Sequence, residues 1–312
     1  MTWRLRKRGV ALITAMLITA LAGSVAAGLS WDNALDVRRT MVMLYRDQAI
    51  QVAVGSEGWV RSILRDDQAS STTDHLGEIW ATEIPALPLD TEAVQGEIFG
   101  QIEDLQGRFN INNLLDSKGE IDQPSFEQYE RLLQALALDA RLAGITADWL
   151  DADQTERIPD GAEDPLYSGL MPPYRTANQR ISNITELAAL DGMDRASFEI
   201  LLPHVTALPE RTPINVNTAT LAVLQSLGPN IRETDAEGLI ALREDGGFVD
   251  YAGVFAPLVD AGLQNWISET SSYFQLKAVV RIDTVRISLF TVLHRDTNSP
   301  DVTPILRSLG TL

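Results

Sequence analysis

The pattern of apolar and polar positions divides the chain into three kinds of stretch. The first runs from Val10 to Trp31 with no charged residue, the next charge being Asp32. As a helix it spans about 30 Å, enough to cross a hydrocarbon core once. The pattern then becomes periodic. Leu35, Met41, Leu44, Tyr45, Ala49, Val52, Ala53, Val60 and Leu64 recur at three- and four-residue steps, with Arg38, Arg39, Arg46, Asp47 and Arg61 opposite them. This predicts one continuous helix over roughly 10–64. A separate anchor and core helix fits the same spacing, and Gly55 and Gly58 weaken the helix near its end.

Beyond the helix, residues 66–74 are polar and predict a loop, and Pro85 and Pro88 predict an irregular passage over 78–89. Residues 97–105 alternate as a strand does, and 107–114 predict a second strand turning into a loop. From Pro124 the period becomes helical. Phe126, Tyr129, Leu132, Leu133, Leu136 and Leu138 mark one amphipathic helix, followed by helices over 145–150, 184–190 and 197–202. Between them lies an acidic loop rich in Pro and Gly, residues 148–178. The segment Ile214-Asn-Val-Asn-Thr218 echoes Phe109-Asn-Ile-Asn-Asn113. Asn217 or Thr218 is the expected cap of the helix through Leu221 and Leu224, and a further helix over 235–243 ends at Gly246-Gly247. Two closing strands, 272–282 and 285–294, flank a tight turn at Asp283-Thr284, and the tail after Thr297 is expected to be loose. A helical block between strand-rich flanks predicts an insertion in an α+β fold.

Charge narrows the class. The 312 residues hold 43 acidic against 25 basic side chains, net −18, and four of the basic ones (Arg4, Arg6, Lys7, Arg8) precede the apolar run. So acidic a chain disfavours nucleic acid, whose phosphates need Lys and Arg. There is no cysteine, which removes disulfides, thiol catalysis and thiolate metal sites. His75, His204 and His294 are widely spaced. No nucleophile elbow or metalloprotease spacing appears, so a non-enzymatic role is expected; an anchored hydrolase is the alternative. The basic leader implies a cytoplasmic N-terminus, with everything after the span outside the cytoplasm.

The acidic loop is the candidate site. Asp148, Asp151, Asp153, Glu156, Asp160, Glu163 and Asp164 are hard oxygen donors crowded into 17 residues, as a calcium ion requires. The spacing is not that of an EF-hand, and a merely solvated acidic loop has the same composition. Leu227-Gly228-Pro229 and Gly246-Gly247-Phe248, following Ile214–Ala219, are similar to a helix-hairpin-helix DNA-binding module, although only Arg232 is basic near the hairpin.

Gly9 stands between the last basic residue and the apolar run, whereas a secretory signal is cut after its apolar core. Here the chain resembles a type IV prepilin-like protein. That likeness implies cleavage between Gly9 and Val10 by a prepilin peptidase. Val25-Ala26-Ala27 also fits an ordinary signal cut before Gly28, and an uncut anchor is the third possibility. The fifth residue after Gly9 is Thr14, where most pilins and pseudopilins carry Glu for an assembly contact. Together with Gly107–Leu114, Asp148–Asp153, Gly161–Asp164, Pro172–Asn178 and Pro213–Ala219, this resembles the minor pseudopilin K family of type II secretion over nearly the whole chain.

The resemblance implies a pilin-like fold: a long N-terminal helix packed on an antiparallel sheet, with a large inserted helical domain. The expected divisions are a leader (1–9), a membrane span (10–31), a first pilin-like part (32–122), the insertion (123–271) and C-terminal strands (272–312). It implies one or two calcium ions on Asp151, Asp153, Glu163 and Asp164, helped by Asp148, Asp160 and Asn178. It also implies a single pass of the inner membrane, a periplasmic head, and the I and J minor pseudopilins as partners at the pseudopilus tip.

Overall fold

The computed structural model describes residues 8–91, 94–244, 246–297 and 299–310. The leader, apart from Arg8 and Gly9, lies outside them. Helix α1 runs unbroken over Arg8–Ser70, six residues past the expected end. Its final turns are polar because Arg65, Asp66 and Ser70 face solvent while Asp67 and Gln68 bond to Arg295 and the Asp296 carbonyl, and Ser70 donates its hydroxyl to the Asp66 carbonyl.

Strands β1 (Ile84–Thr91) and β2 (Val94–Asp104) follow, then the two-residue β3 (Phe109–Asn110). The insertion supplies α2 (Gln123–Ala135), α3 (Arg141–Leu150), α4 (Asp164–Tyr167) and α5 (Arg195–Leu201). It continues through β4 (Val205–Thr206), β5 (Ile214–Asn215), α6 (Leu221–Ser226), α7 (Glu233–Arg243), α8 (Tyr251–Phe255) and β6 (Ile267–Ser268). Strands β7 (Tyr273–Ile282), β8 (Val285–Arg295) and β9 (Val302–Leu309) complete an antiparallel sheet in the order β1-β2-β7-β8-β9. The chain thus leaves the sheet after β2 and returns at β7, beside the strand it left.

Three expectations need correction. Residues 84–91 form a strand, not an irregular passage: β1 is an edge strand, where prolines that cannot donate to a neighbour are tolerated. The tail after Thr297 is not loose throughout, because β9 pairs with β8 on the other edge. The cap of α6 is Thr220, whose hydroxyl accepts from the Val223 amide. Asn217 and Thr218 are engaged elsewhere.

The sheet buries one face against the second half of α1. Ala49, Ala53, Val60 and Leu64 lie on one side of the helix, and the small alanines let it approach β7 and β8 closely. Alternate residues of β7, from Phe274 to Ile282, meet them, with Trp80 set edge-on to Phe274 at 5.2 Å. In the same interface Glu57 is buried and accepts hydrogen bonds from Thr291 at 2.8 Å and Arg307 at 2.7 Å. The insertion has its own core, in which Phe109 stacks on Tyr129 and Trp149 packs against Tyr167 and Tyr174.

The two asparagine-rich segments are internal stitching. Asn110, Asn112 and Asn113 bond to the backbone of Leu208, Glu210, Ile181 and Thr212, and Asn217 holds Phe248 by both its N–H and its carbonyl. Asn215 joins the insertion to the sheet. Its amide nitrogen donates to the Asp74 carbonyl, to Asp104 Oδ2 and to Ser271 Oγ, all within 3.0 Å. Asn215→Ala strands these buried acceptors and is expected to cost about 2–4 kcal/mol. Denaturant unfolding of the full chain in detergent checks this, and a loss under about 0.5 kcal/mol, the scale of an ordinary surface change, contradicts it.

Candidate metal centre

Helix α3 ends in the site. Asp148 lies in its last turn with no exposed surface, and Asp151 closes the helix in an extended conformation. The chain then loops out and folds back on Asp148. One carboxylate oxygen, Oδ2, accepts the amides of Arg157 and Ala162, each at 3.0 Å. Gly161 is required here, since a Cβ would come within 2.2 Å of both Asp148 Oδ2 and the Arg157 nitrogen. This return delivers Glu163, fully buried, at the start of α4. Thr176 holds the far side, its hydroxyl within hydrogen-bond reach of Glu163 Oε2 and Asp164 Oδ1. Asn178, in the left-handed region at φ 48°, anchors its backbone on the Trp149 carbonyl.

Carboxylate oxygens of Asp151, Asp153 and Glu163 lie within 4.8 Å of one another. Asp148 Oδ1, Asp151 Oδ1, Glu163 Oε1 and Asn178 Oδ1 are buried without a hydrogen-bond partner. Four orphaned oxygen acceptors in one loop fit a hard divalent cation, which takes such donors directly. The two remaining candidates face other charges. Asp160 lies 3.7 Å from Arg141, while Asp164 is engaged by Thr176 and lies 3.7 Å from Arg175. Thr176 and Arg157 were not among the residues expected from sequence. Arg157 had a signal, being the only basic residue between Arg141 and Arg175.

Burial, with Asp153 and Asp148 close by, pushes the Asp151 carboxyl up to about 6. Burial and the charge of Asp148 push Glu163 up to about 7. A divalent cation at the triad offsets both causes.

At the other end of the molecule, Gly9 lies in the first turn of α1. The Thr14 hydroxyl sits 3.0 Å from both the Val10 and Ala11 carbonyls, so its polarity is satisfied within its own helix. Among the described residues, α1 is the one helix long and apolar enough to cross a membrane, and its apolar window is unburied. The turn at Gly228 faces inward: a Cβ there would meet the Leu258 carbonyl at 2.0 Å, and Asp260 donates to the Leu227 carbonyl. That face of the hairpin is covered by the chain itself.

The raised carboxyl values have a defined sign. Between about pH 4 and 7 the ion-free fold binds more protons than the unfolded chain, so it loses stability as pH rises through that window. In chelator, the melting midpoint of the full chain is expected to rise as pH falls from 8 to about 5.5 at this site. The Asp151→Ala, Asp153→Ala chain should lose the part of that slope that Asp151 supplies while Glu163, raised mainly by burial and Asp148, keeps the rest, and an identical slope in both chains contradicts the assignment.

Family models described as type II secretion system protein K match residues 107–210 and 214–270. The type II secretion system protein K of Pseudomonas aeruginosa is 35% identical over 302 residues, covering 93% of this chain and 89% of its own. That of Pectobacterium carotovorum is 32% identical, with 93% of each chain covered. The fold is similar to a chain in the crystal structure of the GspK-GspI-GspJ complex of the enterotoxigenic Escherichia coli type 2 secretion system. The TM-score is 0.76 at 24% identity, covering 88% of this chain and all of that one. The chain belongs to the type II secretion system protein K family.

Proposed function

We propose that this protein is the minor pseudopilin at the tip of the type II secretion pseudopilus, where it helps start pseudopilus assembly and the export of folded periplasmic proteins. The observation that carries this reading is the helical body placed between β2 and β7, on a pilin-like frame of α1 and sheet. Subunits of a shaft stack head on head through such frames. A body of this bulk at the sheet's end crowds the subunit above it, whereas a terminal position leaves that space open. Thr14 agrees with this. With its hydroxyl satisfied internally, it offers a neighbour no carboxylate, and it avoids the cost of burying one in a membrane.

The partners on this reading are the I and J minor pseudopilins, by analogy with the complex in which the similar chain was solved. The α1 span from Val10 to Trp31 anchors the chain in the inner membrane, with the head in the periplasm. The divisions at 1–9, 10–31, 32–122, 123–271 and 272–312 are the leader, span, split pilin-like domain and insertion. The ion in the acidic loop is calcium, held by Asp151, Asp153 and Glu163, with Asn178 and Asp148 adjacent. Asp160 and Asp164 serve by shaping the loop. Calcium accepts six to eight oxygens in irregular geometry, whereas magnesium demands a tight octahedron. A site of about 10⁻⁴ M, at a hundredfold excess of ion, stabilises the fold by about 3 kcal/mol. Its role is structural, tying down a long loop in a chain without cysteine.

Two outcomes are expected. N-terminal sequencing of the membrane-extracted protein should begin at Val10; a start at Gly28 or Met1 removes the prepilin reading. In assembled filaments, cross-linking and end-labelling should find this subunit at one end only, and regular spacing along the shaft contradicts the tip assignment.

A further inference from the structure

We propose that Arg157 is the resident cation of the acidic loop: it neutralises the buried Asp148 and weakens the neighbouring Asp151–Asp153–Glu163 site, so that calcium fills it only at high concentration. This rests on the reading of that triad as a calcium site.

The geometry separates the loop's carboxylates into two groups. Asp160 and Asp164 are served by Arg141 and Arg175. Asp151, Asp153 and Glu163 form the triad, and no ion pair with a basic side chain is seen at any of them among the described residues. Asp148 stands between these groups. Its Oδ2 is committed to two backbone amides, and its Oδ1, with no hydrogen bond, lies 3.5 Å from Arg157 Nε. Arg157 Nε is itself buried without a hydrogen-bond partner. Charge, more than a directed hydrogen bond, therefore holds the pair. The guanidinium lies 5.4 Å from the centroid of the Phe126 ring, which fixes it from a second side.

Arg157 cannot shed its charge, because a guanidinium stays protonated at any physiological pH. Its own amide is bound by Asp148, three residues from the triad's nearest member, so the charge is tied to the site by the backbone as well as by the side chain. Calcium entering the triad approaches a fixed positive charge that is 35% exposed, so the repulsion is felt through protein and solvent together and weakens with added salt. The guanidinium does part of the ion's work in advance, and the ion gains correspondingly less by binding.

This makes two quantities move in opposite directions. Removing the charge leaves the ion-free loop less stable, yet makes calcium binding tighter. An arginine that only packed the loop would, on removal, lower both stability and affinity.

The test uses the full chain in detergent, with calcium titrations by calorimetry and melts in chelator and in calcium. Arg157→Gln is expected to bind calcium about tenfold tighter, since one close charge is worth on the order of 1 kcal/mol or more, and to melt lower in chelator. Arg157→Lys should return both quantities toward the parent chain. Arg157→Met, which keeps an apolar stem against Phe126, provides the same reading if the Gln chain folds poorly. Unchanged or weaker affinity in the neutral variants overturns the role of Arg157 while leaving the calcium site standing. No calcium heat in the parent chain, with Asp151→Ala, Asp153→Ala as the zero-binding reference, removes the site and the inference together.

Discussion

The fold depends on one buried polar junction where the insertion meets the pilin-like frame. Asn215 of β5, Asp104 at the end of β2, Ser271 before β7 and Asp74 after α1 meet there, with Arg295 of β8 bonding to Asp74, Asp67 and the Ser271 carbonyl. Burial pushes the Asp104 carboxyl up, while hydrogen bonds from Ser271, Thr218 and the Gln106 amide oppose it. Burial and the charges of Glu78 and Asp74 push Asp67 up to about 7, against the pull of Arg295. Such a junction is costly to leave incomplete, because each member desolvates its partners. It therefore specifies one docking of two bodies whose apolar cores are separate.

The insertion repeats this solution on a smaller scale. Without cysteine it closes its loops by letting side chains stand in for backbone. Asn112 bonds to the Ile181 and Leu208 carbonyls and to the Ile181 amide, and Asp148 takes two amides of the acidic loop on one oxygen. These contacts explain why the acidic loop stays compact although its carboxylates repel. The same closure leaves four acceptors without partners, because an oxygen turned inward toward other carboxylates finds no protein donor.

The elements legible in the sequence were those whose burial is one-sided and long. Helix α1 was readable because its apolar period is long and unbroken, although only the part from Tyr45 to Leu64 meets the sheet and Leu35, Met41 and Leu44 stay exposed. Strands β7 and β8 were readable because their alternation is nearly unbroken around the Asp283 turn, whose positive φ of 51° suits a tight connection. The edge strands were not. In β1 the prolines, and in β9 a mostly exposed run through Pro304, erase the alternation that burial imposes on central strands. At the site, crowded carboxylates marked the loop as one that could hold a cation, and Asp151, Asp153 and Glu163 do converge. The division of labour was hidden, since nothing local says that Arg141 will take Asp160 or that Thr176 will reach back to Asp164. Those pairings depend on how the chain between Arg141 and Thr176 folds over α3, which composition does not encode. For the same reason Asn217 and Thr218 looked like helix caps, when tertiary partners in fact claim them.

The clamp at Glu57 links the head to the rest of α1. Burial pushes its carboxyl up, yet Arg307 and Thr291 outweigh this and hold it below the usual 4.5. It therefore stabilises the fold as an anion above that pH, and the contribution fades as pH falls below it. Its position matters more than its strength. Ala49, the first fully buried residue of α1, lies about 60 Å along the helix from Val10. About 30 Å of that length is what a hydrocarbon core would require, and a comparable length of bare helix precedes the head, where Val37, Met41 and Leu44 are exposed. A long lever of this kind turns small rotations at its base into large displacements of the head. Glu57 couples head and helix, since a buried carboxylate held by two strands at once fixes the rotation of α1 relative to the sheet. Apolar contacts at Ala49 and Ala53, with little relief in their side chains, would permit the helix to slide or roll. The carboxylate removes that freedom, so that α1 and the sheet hold one rotational setting.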